Sequence, residues 1–228
     1  MKGREDLINL PALFFNLFLI YNYHMIVIPT WSEEKKLWEQ GYKLICGVDE
    51  VGRGPLAGPV VAGAVVFRSD IQFEVTICDS KMLTRKKREE LFPQIQSLVY
   101  SYGVGLVEAD EVDSLGIVNA THKAMREAIK KLKVKPNFVL VDGREKISRF
   151  NKNSQKSIIK GDQKSYSIAA ASILAKVYRD RLMLKYHEEF PVYGFDTHVG
   201  YGTKKHLENI LKYGLCRLHR RSFLKNYV

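Results

Sequence analysis

Leu44-Ile45-Cys46-Gly47-Val48-Asp49-Glu50-Val51-Gly52-Arg53-Gly54-Pro55-Leu56-Ala57-Gly58-Pro59-Val60 joins two apolar runs through a glycine-rich turn. The first run delivers two adjacent carboxylates, Asp49 and Glu50, and the second continues from Val60 to Phe67. Short apolar runs rich in β-branched residues, bounded by glycine and proline, read as strands. Gly52 and Gly54 carry no Cβ, so a ligand can approach the main chain closely. Carboxylates at a strand end beside bare amides suit a divalent cation and a phosphate. Taken alone, the stretch also reads as a hairpin loop with two solvated acids. Adjacent side chains on a regular strand leave on opposite faces. Asp49 and Glu50 are therefore expected to share a cation only if the strand ends or bulges there.

Outward from this stretch, strands and helices interleave. Trp31 to Gln40 reads as a short amphipathic helix with Ser32 as its N-cap. Thr84 caps a charged helix, Arg85 to Val99; a strand follows at Tyr102 to Glu108, and Asp110 is expected to cap a short helix. Ile117 to Leu132 has apolar residues at helical spacing and ends in lysines. Asn137 to Val141 is a buried strand ending in Asp142-Gly143, and residues 144–156 read as a polar loop. Ser157 to Lys160 is a further strand, followed by Gly161-Asp162. Ser167 to Tyr186 is a long helix, apolar and small in its first half, and Thr203 to Tyr213 is the last long helix. The pattern predicts an α/β fold: a mixed sheet, antiparallel in part, flanked by helices. The expected divisions are an extension at 1–30, a catalytic core at 31–182 and a helical substrate-binding region at 183–228.

The chain has 228 residues, with 36 Lys and Arg against 25 Asp and Glu, a formal charge of +11. That excess favours polyanionic partners, nucleic acid first and an anionic membrane surface second. Cys46, Cys78 and Cys216 form no CxxC pair, which argues for a reducing, cytoplasmic setting and against a zinc ribbon or disulfide framework. Leu7 to Ile28 is apolar but interrupted by Asn9, Pro11, Asn16, Asn22 and His24. Neither a signal peptide nor a membrane span is expected from it. The readings left are a poorly ordered extension, an upstream start with Met25 as initiator, or a peripheral membrane anchor.

Three strand ends deliver acid: Asp49-Glu50, Asp142 and Asp162. Carboxylates that converge repel one another unless a cation intervenes. Hard oxygen donors without a Cys or His cluster select Mg²⁺ or Mn²⁺. Two such ions can clamp the attacking and leaving oxygens of a phosphodiester. Each acid singly also reads as a solvated loop residue. Asp180 competes with Asp162 for the fourth place, but lies far into a helix between Arg179 and Arg181 and reads as a helix-surface ion pair. The six histidines show no metal-ligand spacing, and none is assigned to catalysis. Gly52-x-Gly54-x-x-Ala57 imitates a dinucleotide fingerprint, yet it opens a strand where that fingerprint must open a helix. A non-catalytic nucleic-acid-binding module would explain the charge but not the acids.

In these residues the chain resembles bacterial type 2 ribonuclease H, the ribonuclease HII family. The motifs are GVDEVGRGPLAGPVV, DSK at 79–81, VDG at 141–143, KGD at 160–162, SIAAASILAKVYRD at 167–180, GYGT at 200–203 and HRRSF at 219–223. The resemblance implies a ribonuclease H-like fold and a metal-binding catalytic quartet at Asp49, Glu50, Asp142 and Asp162, holding two divalent ions. It implies a monomeric endonuclease for RNA–DNA hybrids and for ribonucleotide-containing duplex DNA, cutting 5′ to a ribonucleotide. The ends left would be 3′-hydroxyl and 5′-phosphate, and the biological setting ribonucleotide excision repair and replication. Gly52, Arg53 and Gly54 would read the ribose 2′-hydroxyl, Ser80 and Lys81 would contact phosphate, and Tyr201 would stack on the next deoxyribose. Lys160 and Lys176 could also touch phosphates, and Arg217, Arg220 and Arg221 would track the duplex backbone. Val199 departs from the pattern, since the family usually carries lysine there. A type 3 enzyme would share the fold but carry a different amino-terminal domain.

Overall fold

The computed structural model describes residues 28–70, 77, 80, 82–225 and 227. Leu44–Val51 (β1), Val60–Arg68 (β2), Ser101–Val107 (β3), Phe138–Asp142 (β4) and Gln155–Ile158 (β5) form one mixed sheet in the order β3-β2-β1-β4-β5. β1, β2 and β3 pair antiparallel, as the short connection after β1 requires, while β4 and β5 join parallel to β1. The helices are Ser32–Glu39 (α1), Arg85–Leu98 (α2), Ala109–Leu115 (α3), Ile117–Lys130 (α4), Tyr166–Glu189 (α5), Phe195–His198 (α6), Lys204–Tyr213 (α7) and Arg221–Leu224 (α8).

Alternation along β2 sorts the core onto two faces. Val65 and Phe67 pack with α2 and α5, while Ala64 and Val66 pack with α3 and α4. The close seat of α5 depends on glycine: a Cβ at Gly47 would lie 2.2 Å from the Ser167 carbonyl carbon, and one at Gly63 would lie 2.4 Å from the Ala171 oxygen. The start of α5 is held by a carboxylate from α1. Glu34 Oε1 accepts the Ser167 N–H at 2.9 Å and the hydroxyls of Ser165 and Ser167 at 2.6 and 2.7 Å. A carboxylate at a helix N-terminus also meets the positive end of the helix dipole. α5 then runs unbroken through residues 182–183, and its Met183 joins Tyr193, Phe195, Ile210 and Leu218 in a separate C-terminal cluster that reaches Leu56 and Ala57.

Several local expectations are corrected. Ser32 is the first helical residue of α1 rather than its cap, and its N–H turns back to Thr30 Oγ1 at 3.3 Å. Asp110 lies in the first turn of α3 and accepts the Glu111 N–H, leaving the cap position to Glu108. The segment read as loop up to residue 156 gives up its end to β5, which begins at Gln155. That side chain is buried and binds both backbone groups of Ile147, accepting at 2.7 Å and donating at 3.1 Å. The expectations for residues 1–27, for the extended piece before Cys78 and for Lys81 fall outside the described residues. Among the described residues no helix is long and apolar enough to cross a membrane.

Candidate active site

β1 outruns its parallel neighbour. The β1–β4 ladder stops at Val48↔Val141, so the next residues, Asp49 and Asp142, stand side by side where the ladder ends. On its other edge β1 stays in register with β2 through Val51↔Val61, without a bulge. Asp49 accordingly turns to the α5 face and Glu50 to the α4 face, yet one carboxylate oxygen each from Asp49, Glu50 and Asp142 lies within 4.8 Å of the others. The end of the β1–β4 ladder takes the place of the strand end or bulge that alternation calls for.

The three acids differ in their surroundings. Asp49 is buried and accepts hydrogen bonds from the Glu50 N–H at 2.7 Å and from the Ser172 hydroxyl on α5. Burial first, then the charges of Glu50 and Asp142, push its carboxyl well above the usual range, and Asp162 adds to the effect. Glu50 is also raised by burial, with Arg53 Nη1 at 3.3 Å opposing the shift. Asp142 Oδ1 accepts the Gly161 N–H at 2.6 Å, which ties it to the loop carrying Asp162. In that loop Lys160 adopts a left-handed backbone, φ 55, and Asp162 is buried in the following helical turn. Asp162 lies outside the tight trio but close enough for its charge to act on Asp49. Hard oxygen donors that repel one another when empty suit a divalent cation.

Of the predicted recognition residues, Arg53, Gly54 and Tyr201 gather beside this cluster. Arg53 and Glu50 line a cavity of about 330 Å³ with Asp142, Gly143 and His122. Tyr201 is exposed, and its ring lies over Gly54, where an added Cβ would stand 3.8 Å from Cε1. Ser80, read from the sequence as a phosphate contact, faces α5. Its hydroxyl is buried and lies 2.9 Å from Ser172 Oγ, so it reaches Asp49 through that serine. Asp180 is ion-paired as expected but buried rather than on the surface, with Lys176 at 2.6 Å and Arg88 at 3.4 Å. Lys176 is thereby engaged, and Lys160 stays exposed. Arg217 is exposed and pairs with Glu189, whereas Arg220 is fully buried and is not free to follow a duplex as the sequence suggested. Val199 holds a left-handed φ of 44, which β-branched residues strongly disfavour.

Ser172, Arg179, Arg220 and the trio His198, His206 and His219 went unassigned in the sequence or were given other work. His219 Nδ1 accepts the Cys216 N–H at 3.0 Å, His206 Nδ1 lies 2.8 Å from the Tyr201 carbonyl, and the two Nε2 atoms are 3.1 Å apart. A carbonyl only accepts and an amide N–H only donates. The protons are thereby fixed: His219 Nε2–H donates to His206 Nε2, and His206 Nδ1–H donates to Tyr201. His198 holds the same turn by accepting the Gly200 N–H at 3.2 Å.

The profile of the family described as Ribonuclease HII matches residues 46–226. The chain belongs to the ribonuclease HII family. Ribonuclease HII of Caldicellulosiruptor bescii is 54% identical over 195 residues, covering 86% of this chain and 93% of that protein. The Clostridioides difficile enzyme is 52% identical over 195 residues, covering 86% and 75%. The ribonuclease H2 structure from Pyrococcus horikoshii superposes with a TM-score of 0.63 at 27% identity, covering 80% of this chain and all of that one. A ribonuclease HII from Archaeoglobus fulgidus, solved as a PCNA complex, gives 0.60 at 25% identity, covering 78% and 93%. As a ribonuclease HII the chain is a hydrolase, an endoribonuclease that cleaves RNA in RNA–DNA hybrids, and enzymes of this family depend on divalent metal. Its sheet and flanking helices are those of the type 2 and type 3 ribonuclease H folds.

Proposed function

We propose that this ribonuclease HII cleaves the RNA strand of hybrids and also nicks duplex DNA on the 5′ side of a single embedded ribonucleotide, leaving 3′-hydroxyl and 5′-phosphate ends. The observation that carries the reading is the acid trio within 4.8 Å beside a glycine loop overlaid by Tyr201. Asp49, Glu50 and Asp142 would hold two Mg²⁺ or Mn²⁺ ions, with Asp162 completing the set. Bound there, the ions would lower the pKa of a water and offset charge on the leaving 3′ oxygen.

The chain's own groups do the rest. Ser172 fixes one Asp49 oxygen, with Ser80 behind it. The N–H groups of Arg53 and Gly54, for which the described residues offer no acceptor, face the ribose as donors. A 2′-hydroxyl can accept from them, which a deoxyribose cannot do. Tyr201 presents an apolar ring to the sugar that follows, and a ring face there favours the flat side of a deoxyribose. The cellular task would be removal of misincorporated ribonucleotides and primer remnants, by a monomer in the cytoplasm.

The test is a labelled duplex with one ribonucleotide, beside an all-DNA control, with and without Mg²⁺ or Mn²⁺. A metal-dependent nick 5′ to the ribonucleotide, absent from the control and abolished in Asp142→Asn, is expected. Binding without a nick under either metal would sink the reading.

A further inference from the structure

Two arginines are fully buried without a carboxylate within 4 Å among the described residues. Arg179, on α5, donates from Nε to Pro59 O at 3.0 Å, from Nη2 to Ala57 O at 3.2 Å and from Nη1 to Val199 O at 2.9 Å. Arg220, just before α8, donates to Gly58 O at 2.7 and 3.0 Å and to Gly52 O at 2.6 Å. Its Nη1 reaches Arg53 O at 3.1 Å and Pro55 O at 3.0 Å. Its own N–H adds Leu56 O at 2.8 Å. Gly52 (φ +91) and Gly200 (φ +89) keep the space clear, since a Cβ would lie 2.4 Å from Arg179 Nε and 2.3 Å from Ala57 O respectively.

Burying a charge without a partner charge is costly, and a guanidinium is retained where its rigid fork of donors is needed. Here both forks take up carbonyls of the Gly52–Pro59 loop, and Arg179 adds that of Val199 beside it. A peptide group whose oxygen points inward turns its N–H outward. We infer that Arg179 and Arg220 are positioning residues for substrate recognition: they draw the carbonyls of Gly52–Pro59 inward and so aim the amides of Arg53 and Gly54 at the ribose. The inference deepens, and rests on, the reading of that loop as the ribose sensor. Burial lowers both arginines, to about 10 and about 9, which leaves each charged at neutral pH. Two positive charges therefore stand behind a loop that meets a polyanion beside an acid cluster.

The test compares Arg220→Lys and Arg179→Lys with Arg181→Lys, whose parent side chain is exposed and pairs with Glu89 on α2. Cleavage of a single-ribonucleotide duplex with Mg²⁺, affinity for the all-DNA duplex, and amide hydrogen exchange are followed together. Lysine at 179 or 220 is expected to cut kcat about 10- to 100-fold, the scale of a misplaced reacting group. All-DNA affinity should stay within about twofold, because that term comes from sequence-independent phosphate contacts. Exchange should quicken at Leu56, Ala57 and Gly58 but not in β1 and β2, which separates a loosened loop from a weakened fold. Unchanged kcat in both variants, or a loss matched by faster exchange throughout the sheet, overturns the proposal. A wild-type enzyme that leaves this substrate whole while cutting a full RNA–DNA hybrid overturns the ribose-sensor reading beneath it, and is seen before any variant is compared.

Discussion

Asp49 shows how one residue can serve chemistry against stability. Its carboxyl is buried among like charges, so the native state without metal holds it well above the usual range. A folded-state value raised above the unfolded one gives stability that is complete at acid pH and is lost as pH rises through the raised value. Above that value the metal-free protein carries a strained charge, and below it a carboxyl that must lose its proton before it can hold a cation. Asp49→Asn is expected to stabilise the metal-free protein by about 1 to 3 kcal/mol, a few degrees in Tm for a chain of this length, while abolishing cleavage. Added Mg²⁺ should raise the Tm of the parent and not of the variant. Thermal melts with and without metal decide it, and a lower Tm for the metal-free variant would contradict the electrostatic account. Asp49, Glu50 and Asp142 were legible in the sequence because several strand ends deliver acid in one basic chain, although each singly also reads as a solvated loop residue. Ser172 was not, since a serine among alanines on a helix carries no mark of the residue it faces.

Among the elements, the turn between α6 and α7 is held by imidazoles. Burial lowers His206 and His219 to about 4 each, and His198 is lowered as well. A depressed value means that the neutral rings contribute stability fully above the ordinary value of 6.5, lost as pH falls toward about 4. Protonating His206 puts hydrogens on both Nε2 atoms, which then repel, and protonating His219 puts one on Nδ1, against the Cys216 N–H. The expected loss is about 1 to 3 kcal/mol per histidine, read as a falling Tm between pH 7 and 4. His206→Gln, which cannot titrate, should flatten that dependence relative to the parent. Element boundaries were legible where a side chain caps its own helix: Thr84 and Thr203 each accept an N–H three residues on. They were missed where the partner is remote, as with Gln155, whose contacts to Ile147 created a strand start inside an apparent loop.

At the scale of the whole molecule, the +11 charge makes duplex binding a salt-dependent property. Of the three basic tail residues, Arg221 alone combines an exposed side chain with no ion pair among the described residues. Arg221→Gln is expected to lower the slope of log affinity against log salt by about one, the share of one phosphate. Fluorescence anisotropy on an all-DNA duplex across a salt series measures it, and an unchanged slope would remove Arg221 from the interface. The mixed sheet with its antiparallel part, the acid cluster and the nearby glycine loop could be anticipated from the sequence; the strand order could not. The support behind the loop could not, because Arg179 and Arg220 bind carbonyls, and every residue has one.

α5 touches both halves of the proposed site. Ser172 meets Asp49, and Arg179, two helical turns further on the same face, meets the recognition loop. The helix is thus a gauge block between the bond to be cut and the sugar to be read. Lengthening it by one residue between those positions would rotate one contact about 100° from the other. The offset between cleavage and recognition is set by helical pitch.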